Sequence, residues 1–165
     1  MSRLTPARRF ALDIIRQVRQ RQAYAKRLID SQIHKAALTE SERAFATLLI
    51  NGVIASRGTL DEIIDRALDK PTRIRPDVRD ALRITSYELI FLDKDVHAAV
   101  DQGVELTRSV SPRASGLANK LLRRIATQRQ SFPWGDIDLD DAALARQQAF
   151  PLWLTQRLIA DLGRE

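Results

Sequence analysis

Cysteine is absent from the 165 residues, so the chain has no disulfide, no thiolate metal site and no cysteine nucleophile. Aromatic residues make up only 5%, which argues against a broad base-stacking platform. No apolar run approaches the roughly 20 residues that cross a bilayer. The opening residues, MSRLTPARRF, lack the apolar centre of a signal peptide. No two of the six glycines have the G-x-G spacing of a dinucleotide or S-adenosylmethionine loop, and no G-x-x-x-x-G-K phosphate loop occurs. The two histidines, His34 and His97, sit in different segments. His97 near Asp93, Asp95 and Asp101 reads better as a locally bonded histidine than as a metal or acid–base cluster, because zinc takes three or four convergent ligands. No catalytic apparatus is visible, and the cytoplasm is the expected compartment.

What is present is charge. The net charge is +6, with 44% hydrophobic and 29% charged residues, the balance of one ordinary soluble domain. The bases are unevenly spread. Residues 1–30 carry Arg3, Arg8, Arg9, Arg16, Arg19, Arg21, Lys26 and Arg27 against Asp13 and Asp30 alone. Residues 111–130 carry Arg113, Lys120, Arg123, Arg124 and Arg129 with no acid, and from Asp136 the balance turns acidic. Such asymmetry points to a polyanion partner.

The periodicity is helical throughout. Thr5-Pro6 opens a first helix, with Thr5 as the cap and Ala7, Ala11, Ile14, Ile15 and Val18 as its core stripe. Arg8, Arg9, Arg16 and Arg19 fall within about 100° of one flank, where they could follow a phosphate backbone. A second helix is expected from Tyr24 to Ala37, burying Leu28, Ile29 and Ile33. Thr39 and Glu42 have capping-box spacing, and the next helix is expected to bury Phe45, Leu48, Leu49 and Val53 before ending near Arg57-Gly58. Thr59 then caps a shorter helix through Leu68.

Pro76 opens the stretch around which the chain is organised. Val78, Leu82, Thr85, Leu89 and Leu92 share one helical face, while Ile84 and Phe91 add apolar groups opposite, which predicts a helix covered on more than one side. Asp95 caps the next helix, whose Gly103 predicts close approach of a neighbour. These two helices are expected to form an antiparallel hairpin. Glu88 and Glu105 are expected in ion pairs with Arg79, Arg83 or Arg108. Ser111-Pro112 starts a seventh helix with Ala114, Leu117, Leu121 and Ile125 inward. Residues 127–141 read as a docked connector, with Phe132 and Trp134 tucked against the bundle, followed by helices at 142–148 and 151–162. Tyr24 and Tyr87 lie between core positions, so structural roles are expected of both. An all-α bundle follows from pattern alone.

The string LRITSYELIFLDKDVHAAVDQGVEL closely resembles the matching stretch of NusB-like domains, in particular the version at the N-terminus of RsmB-type (Sun/Fmu) ribosomal RNA cytosine-5 methyltransferases. TPARRFAL, from Thr5, is similar to that family's arginine-bearing first helix. Asn51-Gly52-Val53-Ile54 with Gly58-Thr59-Leu60-Asp61 resembles its Y-G-V-L…G-T-L-D string, Asn51 replacing the usual tyrosine. Asn119 to Arg124 resembles its N-A-V-L-R helix, with Lys120 where a small residue is usual. Pro151-Leu152-Trp153-Leu154 with Leu162-Gly163 is similar to the lead-in to the methyltransferase domain.

The resemblance implies a NusB-like bundle of about seven helices over residues 1–130. Residues 131–165 would then be a connector and the start of the lead-in to a domain absent from this chain. It implies an RNA-binding module that helps position small-subunit ribosomal RNA, with Arg3, Arg8, Arg9, Arg16, Arg19, Lys120, Arg123 and Arg124 as candidate RNA contacts. No cofactor is expected in this segment. S-adenosylmethionine and two catalytic cysteines would belong to the methyltransferase domain beyond Glu165, a partner in cis. Stand-alone NusB, an antitermination factor that binds RNA with a ribosomal-protein partner, is the alternative, and a docking module that is merely basic is a third reading.

Overall fold

In the computed structural model, which describes residues 3–164, helical order begins at Pro6. In chain order the helices are α1 (Pro6–Arg21), α2 (Ala25–Gln32), α3 (Glu40–Ala55), α4 (Arg57–Ala67), α5 (Pro76–Ile90), α6 (Val96–Val110), α7 (Ser115–Gln128), α8 (Asp141–Gln148) and α9 (Leu152–Leu162). No strand occurs among the described residues, as an all-α reading requires.

α5 is the axis. It packs against α1, α3, α4, α6 and α7, and Ala81, Leu82, Ile84 and Leu89 on its several faces are completely buried. Leu82, Ile84 and Leu89 each contribute about 1.5–3 kcal/mol by leaving water. The α5–α6 hairpin forms as the pattern predicted: Asp93 takes the left-handed conformation (φ 49°) and Asp95 accepts the Ala98 N–H at 2.9 Å. A Cβ on Gly103 would lie 2.4 Å from Thr85 Oγ1 and 2.6 Å from Leu122 Cδ1, so its missing side chain lets α5 and α7 close on α6.

The capping box is present. Thr39 Oγ1 accepts from the Glu42 N–H at 3.2 Å, and the Glu42 carboxylate accepts from the Thr39 N–H at 2.8 Å.

Other boundaries move. Thr5 makes no side-chain cap bond; its hydroxyl accepts from Arg8 and its N–H donates to Gln102 Oε1 instead. α2 stops at Gln32, five residues before Ala37, and gives way to turns. α3 ends at Ala55 and α4 starts at Arg57, because Ser56 keeps the backbone bonding nearly continuous: its N–H reaches Gly52 O, and its own O accepts from Leu60. Thr59 is therefore buried within α4 and caps nothing. Ser111-Pro112 opens a 3-10 turn, Pro112–Ala114, with α7 starting at Ser115.

Leu48 and Leu117, both expected inside, are exposed. The faces actually covered carry Ala46 and Ile50 on α3, and Ala118 and Leu122 on α7, where small residues admit the neighbouring helix.

Phe132 and Trp134 dock the connector. An edge-on chain of rings runs Phe91–Phe132–Trp134, with centroids 5.7 and 5.3 Å apart. The Arg66 guanidinium lies 4.2 Å over the Trp134 ring. Arg146 of α8 then bonds Glu62 of α4 at 2.9 Å and Pro133 O at 3.2 Å. α8 and α9 otherwise pack chiefly on each other.

Candidate nucleic-acid interface

The arginines of α1 divide into two populations. At about 100° per residue, Arg8, Arg16 and Arg19 lie within about 80° of one another, and Arg9 sits at the edge of that sector. The first three face α5, which presents Asp77, Asp80 and Glu88 along one side.

Arg8 forms a two-pronged pair with Glu88, Nε to Oε1 at 2.8 Å and Nη2 to Oε2 at 2.7 Å. The Glu88 side chain is 1% exposed. Arg8 also packs over the Phe45 ring. Arg16 bonds Asp77 at 3.1 Å, and Arg19 bonds Asp77 at 2.7 Å and Asp80 at 2.9 Å. Since rising α1 numbers meet falling α5 numbers, the two helices run antiparallel.

The network continues into α4. Arg83 holds Asp80 at 2.9 Å and Asp61 at 2.8 and 3.0 Å, and Arg79 spans Asp61 and Asp65. Burial raises the Asp80 carboxyl above its ordinary value, outweighing Arg19 and Arg83.

Glu88 therefore has an ion-pair partner, as expected, but it is Arg8 of α1 and not Arg79, Arg83 or Arg108. Glu105 pairs with Arg108. The sequence signal was the placement of Asp77, Asp80 and Glu88, three carboxylates within about 80° on an otherwise apolar helix. A buried carboxylate stripe calls for cations from a facing helix.

Arg3 and Arg9 are different. Both are exposed and line a shallow depression with Leu4, Thr5 and Pro6. Neither makes an ion pair within 4 Å among the described residues, and Asp13 is the carboxylate whose charge Arg9 feels. Of the candidate contacts in the first helix region, these two remain available to a phosphate.

On α7, Lys120 and Arg124 converge on Asp69, at 2.8 and 2.7 Å. These two hydrogen bonds pull the Asp69 carboxyl down to about 2. Arg123 is exposed and donates only to the neutral Asn119 Oδ1 at 3.0 Å. Two cations on one carboxylate, with a third beside them that has none, leave this face positive. Of the eight candidates, the structure thus pairs Arg8, Arg16 and Arg19 with carboxylates of α5, leaves Arg3 and Arg9 without an ion pair among the described residues, and groups Lys120, Arg123 and Arg124 on a separate face.

Tyr87 is half-buried, its ring lying where a Gly52 Cβ would be, 2.1 Å from Cζ. Tyr24 departs from expectation: it is 81% exposed. His97 is exposed on the first turn of α6. Among the described residues no group of three or more His, Cys, Asp or Glu could hold a metal, and no helix is long and apolar enough to cross a membrane.

Comparison with known proteins places these features in a family. The NusB family model matches residues 5–127. A protein of Synechocystis named probable ribosomal RNA small subunit methyltransferase B is 31% identical over 91% of this chain and 34% of its own length. The Bacillus subtilis protein of the same name is 29% identical over 98% of this chain and 36% of its own. A transcription antitermination protein NusB of Syntrophomonas wolfei is 28% identical over 74% of this chain and 95% of its own. The chain spans about a third of the length of the methyltransferase relatives it matches.

Proposed function

The chain belongs to the NusB family, and from that premise we propose that it is the RNA-binding module of a small-subunit rRNA (cytosine-5) methyltransferase. The module holds and positions ribosomal RNA, and a methyltransferase domain outside these residues carries out the chemistry. One observation carries this reading above others. Likeness to the Bacillus relative named as a methyltransferase runs on through α8 and α9, well past the last residue of the NusB match.

The electrostatics support the RNA half of the proposal. Arg3 and Arg9 at one site and the Lys120–Arg123–Arg124 face at another offer donors for phosphate oxygens, contacts that fix register without reading sequence. Methyl transfer in this reading draws on S-adenosylmethionine, which supplies the methyl group. The described residues do not fit that cofactor: they contain no strand to carry a glycine turn, and Gly52 and Gly103 are closed by Tyr87, Thr85 and Leu122.

A second reading, a stand-alone antitermination factor acting on RNA with a ribosomal-protein partner, is favoured by the NusB relative matched over nearly its full length. An antibody against the purified chain, used on extracts of the source cell, separates the two. A band far above 18.7 kDa supports the methyltransferase module, and a band at 18.7 kDa supports the stand-alone factor.

RNA binding itself is tested by anisotropy of labelled small-subunit rRNA fragments. With three of the five cations Arg3, Arg9, Lys120, Arg123 and Arg124 on phosphates, the affinity falls roughly 20-fold between about 50 and 200 mM salt. No binding at the lower salt overturns both readings.

A further inference from the structure

A groove of about 540 Å³ opens between the end of α1, the turn into α2 and the α3–α4 junction. Its floor is apolar: Ile15 and Val53 are buried beneath it, with Val18 and Ile54 at the sides. Gln22 in the left-handed conformation (φ 50°) turns the chain sharply there, and Tyr24 follows two residues later at the head of α2. The Tyr24 ring stands 81% exposed at the rim, and Arg57, also exposed, stands on the same groove.

Phe150 and Trp153 of the C-terminal segment are exposed as well, but within the bundle and its connector Tyr24 stands apart: Phe10, Phe45, Tyr87, Phe91, Phe132 and Trp134 all pack against the core.

Arg19, Asp80 and Arg83 also line the groove but are bonded to one another, so the unpaired charge on it is positive. Arg57 has no carboxylate within 4 Å among the described residues. The nearby acids are already committed. Asp80 is held by Arg19 and Arg83, Asp61 by Arg79 and Arg83, and Asp30 by Lys26. An uncharged apolar partner seated here would strip water from Arg57 and return nothing to it. A ligand with a flat π-face and an attached anion satisfies ring, floor and guanidinium together.

We propose that this groove takes an unpaired nucleobase of the bound RNA, stacked on Tyr24, with Arg57 on the adjoining phosphate. The inference rests on the RNA-binding reading above and adds to it a contact with a base where Arg3 and Arg9 offer contacts with phosphate alone. It also gives the module a preference for single-stranded segments, since a base within a duplex cannot reach the ring.

The test uses the whole chain, a labelled single-stranded RNA of about 12 nucleotides, and the same RNA with abasic residues. Tyr24→Ala weakens binding of the intact RNA by roughly 5- to 150-fold, Tyr24→Phe binds as the unmodified chain does, and the abasic RNA does not distinguish Tyr24→Ala from the unmodified chain. Circular dichroism checks that Tyr24→Ala stays folded, as replacement of an exposed side chain should. If the unmodified chain binds RNA and Tyr24→Ala binds it equally well, the groove is not a base site, and a protein contact takes its place. If the unmodified chain binds no RNA, the functional reading falls with it, so the two failures are distinct.

Discussion

Replacing Arg8 by glutamate removes both hydrogen bonds to Glu88 and sets a second carboxylate against the first. The Glu88 side chain is 1% exposed and cannot turn to water. Stranding one member of a buried pair costs about 3–5 kcal/mol. With a urea dependence of about 2 kcal/mol per molar, the unfolding midpoint followed at 222 nm falls by about 1.5–2.5 M. Arg9→Glu, one residue on, touches no buried group and shifts stability by less than about 0.5 kcal/mol, including the new repulsion from Asp13 four residues away. Replacing the whole pair, Arg8→Met with Glu88→Leu, recovers most of the loss, because the buried charge leaves with its partner. A midpoint for Arg8→Glu within about 0.3 M of the unmodified protein would refute the reasoning. The same arithmetic governs how RNA experiments are read: loss of binding in Arg8→Glu reports damage to the α1–α5 contact, and loss in Arg9→Glu reports the surface.

The glycines separate by what surrounds them. Gly103→Ala drives a Cβ into Thr85 and Leu122 and should destabilise by about 1–3 kcal/mol, whereas Gly58→Ala meets nothing within 4 Å and should stabilise α4 by up to about 1 kcal/mol; thermal melts of the two variants should move in opposite directions. Two carboxylates predict opposite pH trends. Asp69 is depressed to about 2, so its contribution is present above its ordinary value and lost as pH falls from about 4 towards 2, and Asp69→Asn should remove that part of the acid dependence. Asp80 is raised by burial, so stability declines as pH rises through its range, and Asp80→Asn should flatten that decline in urea midpoints measured upward from pH 4.

Much of the architecture can be read from residues whose local chemistry has one solution. Thr39 and Glu42 close a capping box wherever a helix follows them, Asp95 caps α6, and Gly103 within an apolar stripe leaves only a close helix contact. α5 announces itself by being apolar on several sides.

The misreadings share a different cause: each residue allowed two geometries that only packing separates. Leu48 and Leu117 keep helical spacing as well as Ile50 and Leu122 do, and the small Ala46 and Ala118 decide which side a neighbour covers. Gly58-Thr59 looks like a stop and a cap, yet the backbone bonds through Ser56 carry the helix past them. The arginine flank of α1 holds a further ambiguity of this kind, over which side chains are paired and which are not. A row of cations reads alike whether it meets solvent or a carboxylate stripe, and the difference lay on α5, in Asp77, Asp80 and Glu88.

In the proposed RNA-binding module, Arg3 and Arg9 would meet the phosphates, and the arginines bound to α5 would not. The slope of log affinity against log salt tests this directly, because each single-strand phosphate contact contributes about 0.7. Arg3→Ala with Arg9→Ala should lower that slope by about 1.4 while leaving the urea midpoint in place. An unchanged slope would contradict the account.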